Sequence, residues 1–387
     1  MKTALSFDDV LLKPRMSEIK SRGDINLTSC LKEYEYGDVN NDYKITEEGV
    51  ELDLPIISSP MDTVTGRKMA LSMARAGGLG IVHRYCSIEE QVAMIKDLGL
   101  GKERNTSKDE EHLATIKLHS MGSVRPYHMT KLPEPELCLS GAAIGVSGDY
   151  KERAQALADA GCKILCIDVA HGHHILVKDA LKHLKSTFGN KLTLIAGNVA
   201  TSRAFEDLSR WGADAIRVGV GGGSICSTRT QTGHGIPTLQ SIIDCTKSEG
   251  GAKIIADGGI RNAGDIVKAI AAGADFVMLG SLLAGTDESP GQVFSSADGK
   301  RYKVYRGMAS AEAQIDWRGE ARSLEGVSTT VPWKGPVGKI LKDLEQNIRS
   351  GFSYTGVKDI ADMHHRAKFT RQTIAGARES FTHILTK

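Results

Sequence analysis

From about residue 55 onward the hydrophobic positions fall into a repeating unit. A short, β-branched apolar run is followed by a small-residue turn and then by a segment of helical spacing. The strand candidates are Pro55–Ser58, Gly80–His83, Ala142–Val146, Ile164–Val169, Thr193–Gly197, Ala215–Gly219, Lys253–Asp257 and Phe276–Leu279. Helix-period stretches Gln155–Ala160, Ile175–Phe188, Ala204–Trp211 and Ala263–Ala271 lie among them. Uniformly apolar strands alternating with helices predict a parallel sheet buried on both faces. Eight strands are what closes such a sheet, so the pattern predicts an α/β protein with a (β/α)8 TIM barrel. A doubly wound open sheet is the alternative, but it has no need of eight.

Other regions break the rhythm. Residues 1–54 are irregular, with an apolar piece at Ser6–Leu12 and a polar hairpin or loop from Glu33 to Glu51. Residues 97–140 carry charge runs without periodicity and read as a short flexible insertion, too short for a domain of typical size. His112, His119 and His128 within it are not at metal-ligand spacing and read as solvated. Residues 286–334 follow the last strand and read as a surface loop system, a flap of the kind that acts as a lid. Within it, Ser295–Lys300 looks like a hairpin turn. Residues 335–387 form a helical tail with an amphipathic helix near Val337–Arg349. The chain as a whole, residues 1–387, reads as a single catalytic barrel.

Composition narrows the function classes. An apolar share of 41% with 25% charged residues fits a soluble chain able to build a large core. A formal charge of +2 gives no field that would imply nucleic acid or an acidic membrane as partner. Seven cysteines without regular spacing form neither a disulfide framework nor a CxxC metal pattern, so reduced thiols in a cytoplasmic setting are expected. No run of about 18 apolar residues is present to span a membrane.

The polar residues then gather where a barrel would use them. Ser58-Ser59, His83-Arg84, Asp168, Asn198, Asp257-Gly258-Gly259 and Gly280-Ser281 all sit at or just after strand C-termini, the catalytic face of such a fold. Small and polar residues also simply end strands, but that alone would not place so many on eight units. After Val218 come four glycines in five positions, then Ser224, Cys226, Thr228 and Arg229. An arbitrary cysteine is more often a small core residue. Beside a glycine loop with hydroxyl and cationic neighbours, Cys226 reads as a nucleophile. Asp257 could accept both hydroxyls of a ribose, and Gly280-Ser281 stands where barrels bind phosphate. No GxGxxG follows an early strand, so a nicotinamide cofactor would have to lie in the open mouth.

The run GGGSICSTR resembles the catalytic loop of the IMP dehydrogenase and GMP reductase family. FDDVLL at 7–12, SSPMDTV at 58–64, IDVAHGH at 167–173, AGNVAT at 196–201, ADGGIR at 256–261, MLGSLLAG at 278–285, YRGM at 305–308 and EGVSTTVPWKG at 325–335 carry the likeness along nearly the whole chain. The resemblance implies a homotetramer acting on a purine mononucleotide. It implies that Cys226 attacks purine C2, that Thr228 handles the proton or ammonia, and that Glu325 stands near purine N1. Ser58, Met61, Ser224, Asp257, Gly258, Gly259, Gly280, Ser281, Tyr305, Gly307 and Met308 would hold the nucleotide. Arg84, Asp168, Val169, Ala170 and Asn198 would face the cofactor, NADPH or NAD. Gly221, Gly223, Cys226 and Arg229 would bind K+.

Within the family, a short insertion stands where most dehydrogenases carry a paired regulatory module. Between Met308 and Glu325 there is no arginine–tyrosine pair to activate water; Trp317-Arg318 is the nearest thing. IDVAHGHH also looks more like the reductases, so a GMP reductase is expected. The family's usual glutamate falls at Ala311, leaving Glu312 as the candidate proton partner of Thr228, and the tail looks more like a dehydrogenase's. IMP dehydrogenase and a catalytically silent nucleotide-binding barrel stay as alternatives. A phosphosugar isomerase or aldolase would need a Schiff-base lysine or paired carboxylates at strand ends.

Overall fold

The computed structural model describes residues 3–32, 50–99 and 139–380. Most of the expected polar loop at 33–51 and of the insertion at 97–140, with its three histidines, lies outside the described residues.

Eight parallel strands close into a barrel in chain order: β1 Ile56–Ser58, β2 Leu79–Val82, β3 Ser140–Ile144, β4 Ile164–Asp168, β5 Thr193–Val199, β6 Ala215–Val218, β7 Lys253–Asp257 and β8 Phe276–Leu279. The expected barrel is thus observed, with strand ends displaced by one or two residues. Because side chains alternate across a strand, each run supplies two cores. Ile57, Ile81, Cys166, Ile195, Ile255 and Met278 fill the interior, and Leu31, Val50 and Leu52 close its floor. Their neighbours, such as Ile56, Val82, Leu165 and Ile216, pack outward against the helices. Both sets are almost fully buried, which is why the strands read as unbroken apolar runs.

That alternation also decides what reaches the mouth. Counting by twos from Ile164 through Cys166 arrives at Asp168, from Ala215 at Arg217, and from Ile255 at Asp257. The top interior layer is therefore charged while the layers beneath it are apolar.

The region after β8 is more ordered than a loop system. Phe294–Ser295, Arg301–Arg306 and Ser328–Pro332 form a three-stranded antiparallel sheet, and helix Ala311–Arg318 sits in the connection. The tail helix runs Val337–Thr355, beyond the expected end, because Leu344, Ile348 and Phe352 continue its buried face until Gly356 stops it at φ 71°. Near the chain's two far ends, Val10–Leu12 pairs antiparallel with Phe369–Arg371. Among the described residues no helix is long and apolar enough to cross a membrane.

Candidate active site

Three groups of residues meet at the C-terminal mouth of the barrel, around a cavity of about 460 Å³.

The first group is a lattice of buried charge. Arg217, 6% exposed, donates to Asp168 Oδ1 at 2.5 Å and to Asp257 Oδ2 from Nε at 3.0 Å and Nη2 at 2.8 Å. Burial works against a guanidinium, but Asp257 and Asp168 more than offset it and hold the pKa well above its ordinary range. Asn198 Nδ2 adds donations to Asp257 Oδ2 and to Gly219 O, each at 2.8 Å. The geometry depends on a glycine. Gly197 lies in register between Asp168 on β4 and Arg217 on β6, and a Cβ there would stand 2.6 Å from Arg217 Cβ. The missing side chain leaves Arg217 its path across β5 to Asp168. With three donors on Oδ2, Asp257 keeps Oδ1 without a protein donor among the described residues, as an acceptor for a ligand.

The second group surrounds Cys226. β6 ends in a glycine turn in which Gly219 has φ 148° and a Cβ would fall 1.9 Å from Asp257 O, so the loop can pass only as glycine. The loop then presents Cys226 exposed to solvent while Ile225 anchors it from below. The Cys226 thiol donates to Thr228 Oγ1 at 3.1 Å, and Thr228 Oγ1 donates to Glu325 Oε2 at 2.7 Å. The glutamate is brought there by backbone pairing of loop and flap: Ser227 N–H to Glu325 O at 2.8 Å and Val327 N–H to Ile225 O at 3.0 Å.

The third group clasps the flap. Trp317 stacks on Tyr85, from the loop after β2, at 5.7 Å between ring centroids. Arg306 reaches Asp62 at 2.6 Å and Asp316 at 2.5 Å, joining the loop after β1 to the flap helix. Tyr85 and Tyr305 are half-buried and buried, and burial raises the pKa of both phenols; Ser224 hydrogen-bonds Tyr305 and partly counters this.

Most residues expected in the site line this cavity: Met61, Arg84, Asp168, Val169, Ala170, Asn198, Gly221, Gly223, Cys226, Thr228, Asp257, Gly258, Tyr305, Gly307, Met308 and Glu325. Gly280 stands just behind it, 3.1 Å from Tyr305 Oη by the Cβ it lacks, and opens a helical turn whose first residue is Ser281. Gly259 lies behind Gly258, toward Phe7. Arg229 turns its guanidinium to Val220 O and Ile236 O, under the glycine turn. Three expectations change, the first being Ser224, which is exposed on the loop and does not line the cavity. Glu312 is exposed on the flap helix and does not line the cavity; Thr228 pairs with Glu325 instead, because backbone pairing carries that segment to the loop. Ser58 is fully buried, its hydroxyl accepting from Thr65 at 2.8 Å, and Ser59 and Pro60 line the cavity in its place.

Arg217, Tyr85 and Arg322 also line the cavity and were not expected, and Arg318, singled out with Trp317 as the nearest thing to an arginine–tyrosine pair, lines it as well. Arg217 carried a signal: an arginine within the apolar run AIRV needs a carboxylate partner, and Asp168 and Asp257 end nearby strands. Tyr85 and Arg322 lie in segments without periodicity.

Comparison with known proteins places this architecture. The model of the IMP dehydrogenase / GMP reductase domain matches residues 4–383. GMP reductase of Leishmania major is 37% identical, over 99% of this chain and 97% of the relative. An inosine-5'-monophosphate dehydrogenase of Nitrosopumilus maritimus is 35% identical, over 99% and 98%. A solved structure of GMP reductase from Trypanosoma brucei, in complex with guanosine 5'-monophosphate, superposes with a TM-score of 0.84 at 34% identity, over 99% of this chain and 98% of that one. With its closed barrel, its cysteine loop and these likenesses along nearly its full length, the chain belongs to the IMP dehydrogenase / GMP reductase family, whose members are oxidoreductases of purine nucleotides.

Proposed function

We propose that the protein is a GMP reductase, converting GMP and NADPH to IMP, ammonia and NADP+. The observation that carries this reading is the Cys226–Thr228–Glu325 chain beneath a flap that brings no arginine–tyrosine pair to the cavity. The tyrosines lining it are Tyr85, stacked on Trp317, and Tyr305, and the arginine that follows Tyr305, Arg306, is held by Asp62 and Asp316 and does not line the cavity.

The reaction follows from those residues. Asp257 Oδ1 accepts from the ribose, and the turn at Gly280-Ser281 takes the phosphate, which sets purine C2 over the sulfur. As Cys226 Sγ bonds to C2, its proton passes through Thr228 to Glu325. The C2–N bond then breaks, and the same pair returns the proton to the departing amine, which leaves as ammonia. The remaining purine–cysteine thioimidate needs two electrons at C2 and a proton, after which the C–S bond breaks and IMP is free.

The residues fit a nicotinamide cofactor. Arg84 Nε is buried without a hydrogen-bond partner among the described residues at the edge of the cavity, beside Asp168, Val169 and Ala170, an arrangement suited to an anionic ligand. When bound, that cofactor supplies the hydride for C2. The carbonyls of Gly221, Gly223 and Cys226 lie in one loop, with Arg229 in the helix that follows, and are neutral donors suited to K+, which would stiffen the loop. A homotetramer belongs to the same reading.

Arg318 and Arg322, which reach the cavity from the flap, favour the second reading, IMP dehydrogenase, in which an arginine would activate water. The test mixes the protein with GMP and NADPH, and separately with IMP, NAD+ and K+, following reduced-nicotinamide absorbance. Loss of NADPH with release of IMP and ammonia supports the reductase. Formation of NADH from IMP overturns it in favour of the dehydrogenase. Nucleotide binding without turnover in either mixture points to a silent barrel.

A further inference from the structure

The cavity's charges are unevenly satisfied. It is lined by four arginines, Arg84, Arg217, Arg318 and Arg322, against three carboxylates, Asp168, Asp257 and Glu325. Arg217 takes both aspartates and Thr228 takes the glutamate. Arg322 pairs with Glu320 at 2.8 Å, on the exposed surface. Arg84 has one long bond, 3.3 Å to Asp168 O, and its Nε lies 4.0 Å from that carboxylate. Arg318 has no carboxylate partner among the described residues.

The flap helix sets Arg318 where it stands. Arg318 is the last residue of that helix, and the two before it are the clasp: Asp316 is held by Arg306, and Trp317 is stacked on Tyr85. Tyr85 follows Arg84 directly, and the Arg84 guanidinium lies 5.4 Å from the Tyr85 ring centroid. The stack therefore carries an unpaired guanidinium of the flap and an under-satisfied one of the barrel to one rim of one cavity. Two cations drawn to one rim repel unless an anion lies between them, and planar guanidinium groups suit phosphate oxygens.

We propose that Arg318 and Arg84 form a phosphoanion site for the dinucleotide, with Arg318 supplying the part of it that exists only when the flap is clasped. The proposal rests on the reductase reading, since it assigns that reading's cofactor to these residues. Two groups on NADPH offer the chemistry, the pyrophosphate and the 2'-phosphate, and NADH carries only the first.

The test compares Arg318→Ala and Arg318→Lys with the parent protein, measuring KM for NADPH, NADH and GMP. A charge-assisted bond lost from an exposed rim raises the cofactor KM by about tenfold. A rise for NADPH alone assigns Arg318 to the 2'-phosphate, and an equal rise for both cofactors assigns it to the pyrophosphate. Arg318→Lys should recover part of the loss, and the KM for GMP should stay near the parent value. Unchanged cofactor KM values in both variants, or a parallel rise in the KM for GMP, overturn the proposal. Direct titration with NADPH, read by energy transfer from tryptophan, separates the two readings because it needs no turnover. Arg318-dependent NADPH binding in a protein that does not reduce GMP sinks the reductase reading and leaves the phosphoanion site standing.

Discussion

On the strand side of the cavity, Arg217 is buried and Asp168, Asp257 and Asn198 are half-buried at the ends of rigid strands, joined to one another by hydrogen bonds. On the flap side, Cys226 is exposed, and its partners Thr228 and Glu325 come from segments joined by a few backbone bonds. The contrast separates two tasks. In the proposed reaction, holding a ribose requires an acceptor that does not move, and the barrel would provide it through paired charges whose separation is costly. The proton transfer proposed between sulfur and amine requires groups that can approach and withdraw, and the flap would provide those at small cost.

Each side can be broken alone. On the flap side, Cys226→Ala should lower GMP-dependent NADPH oxidation by at least about 10⁴-fold while GMP binding by calorimetry persists. Binding lost along with turnover would mean that the loop also shapes the nucleotide platform. On the strand side, Arg217→Met leaves two half-buried carboxylates without their buried cation, and unfolding in urea should show a loss of about 3 kcal/mol. Gly197→Ala should weaken the same lattice through its clash with Arg217. Thr228→Val and Glu325→Gln should each reduce kcat by roughly 10²- to 10³-fold with stability near that of the parent. Additive losses in the double variant would show that the two do not act as one relay.

The clasp should matter less. Trp317→Leu removes a stack worth about 1 kcal/mol, which should appear as faster proteolysis within 307–327 and not as a lower melting temperature of the barrel. The smallest effect concerns His83, at the end of β2, whose pKa burial lowers from its ordinary 6.5 despite nearby Asp62 and Glu90, with Arg306 acting in the same sense as burial. The unfolded chain then takes up its proton first as pH falls below that value, so this contribution to stability is complete above pH 6.5 and shrinks beneath it. His83→Gln should flatten the melting temperature between pH 7 and about pH 5.5; an unchanged slope would remove His83 from the account.

The barrel was legible because its strands are short, apolar and buried on both faces, a signal that survives without any long-range information. Lys253–Asp257 and Phe276–Leu279 were read to the residue. The flap sheet was not legible as a sheet. Phe294–Ser295 spans two exposed residues, and Ser328–Pro332 mixes threonine with partly exposed valine and a proline, so neither alternates cleanly. Cys226 and Asp257 were legible from their local company. Glu325 was tied to the substrate through the family's motif, and its pairing with Thr228 was missed because that contact joins residues 97 positions apart. Arg217 was read as part of a strand and no more, although the period of two that buries Ala215 places it on the same inner face.

The pairing of Val10–Leu12 with Phe369–Arg371 bears on the order in which the protein matures. Phe7 lies behind the Gly258-Gly259 turn, Arg261 clamps Asp8, and Lys268 holds Phe7 O at 2.9 Å, so the opening segment braces the turn that carries Asp257. During synthesis those residues emerge well before the strand that pins them, a lag on the order of tens of seconds at ordinary translation rates. A nascent chain already showing Cys226 would still lack the brace behind its ribose acceptor. Competence to bind a nucleotide would therefore wait until Phe369–Arg371 has been made and has paired with Val10–Leu12.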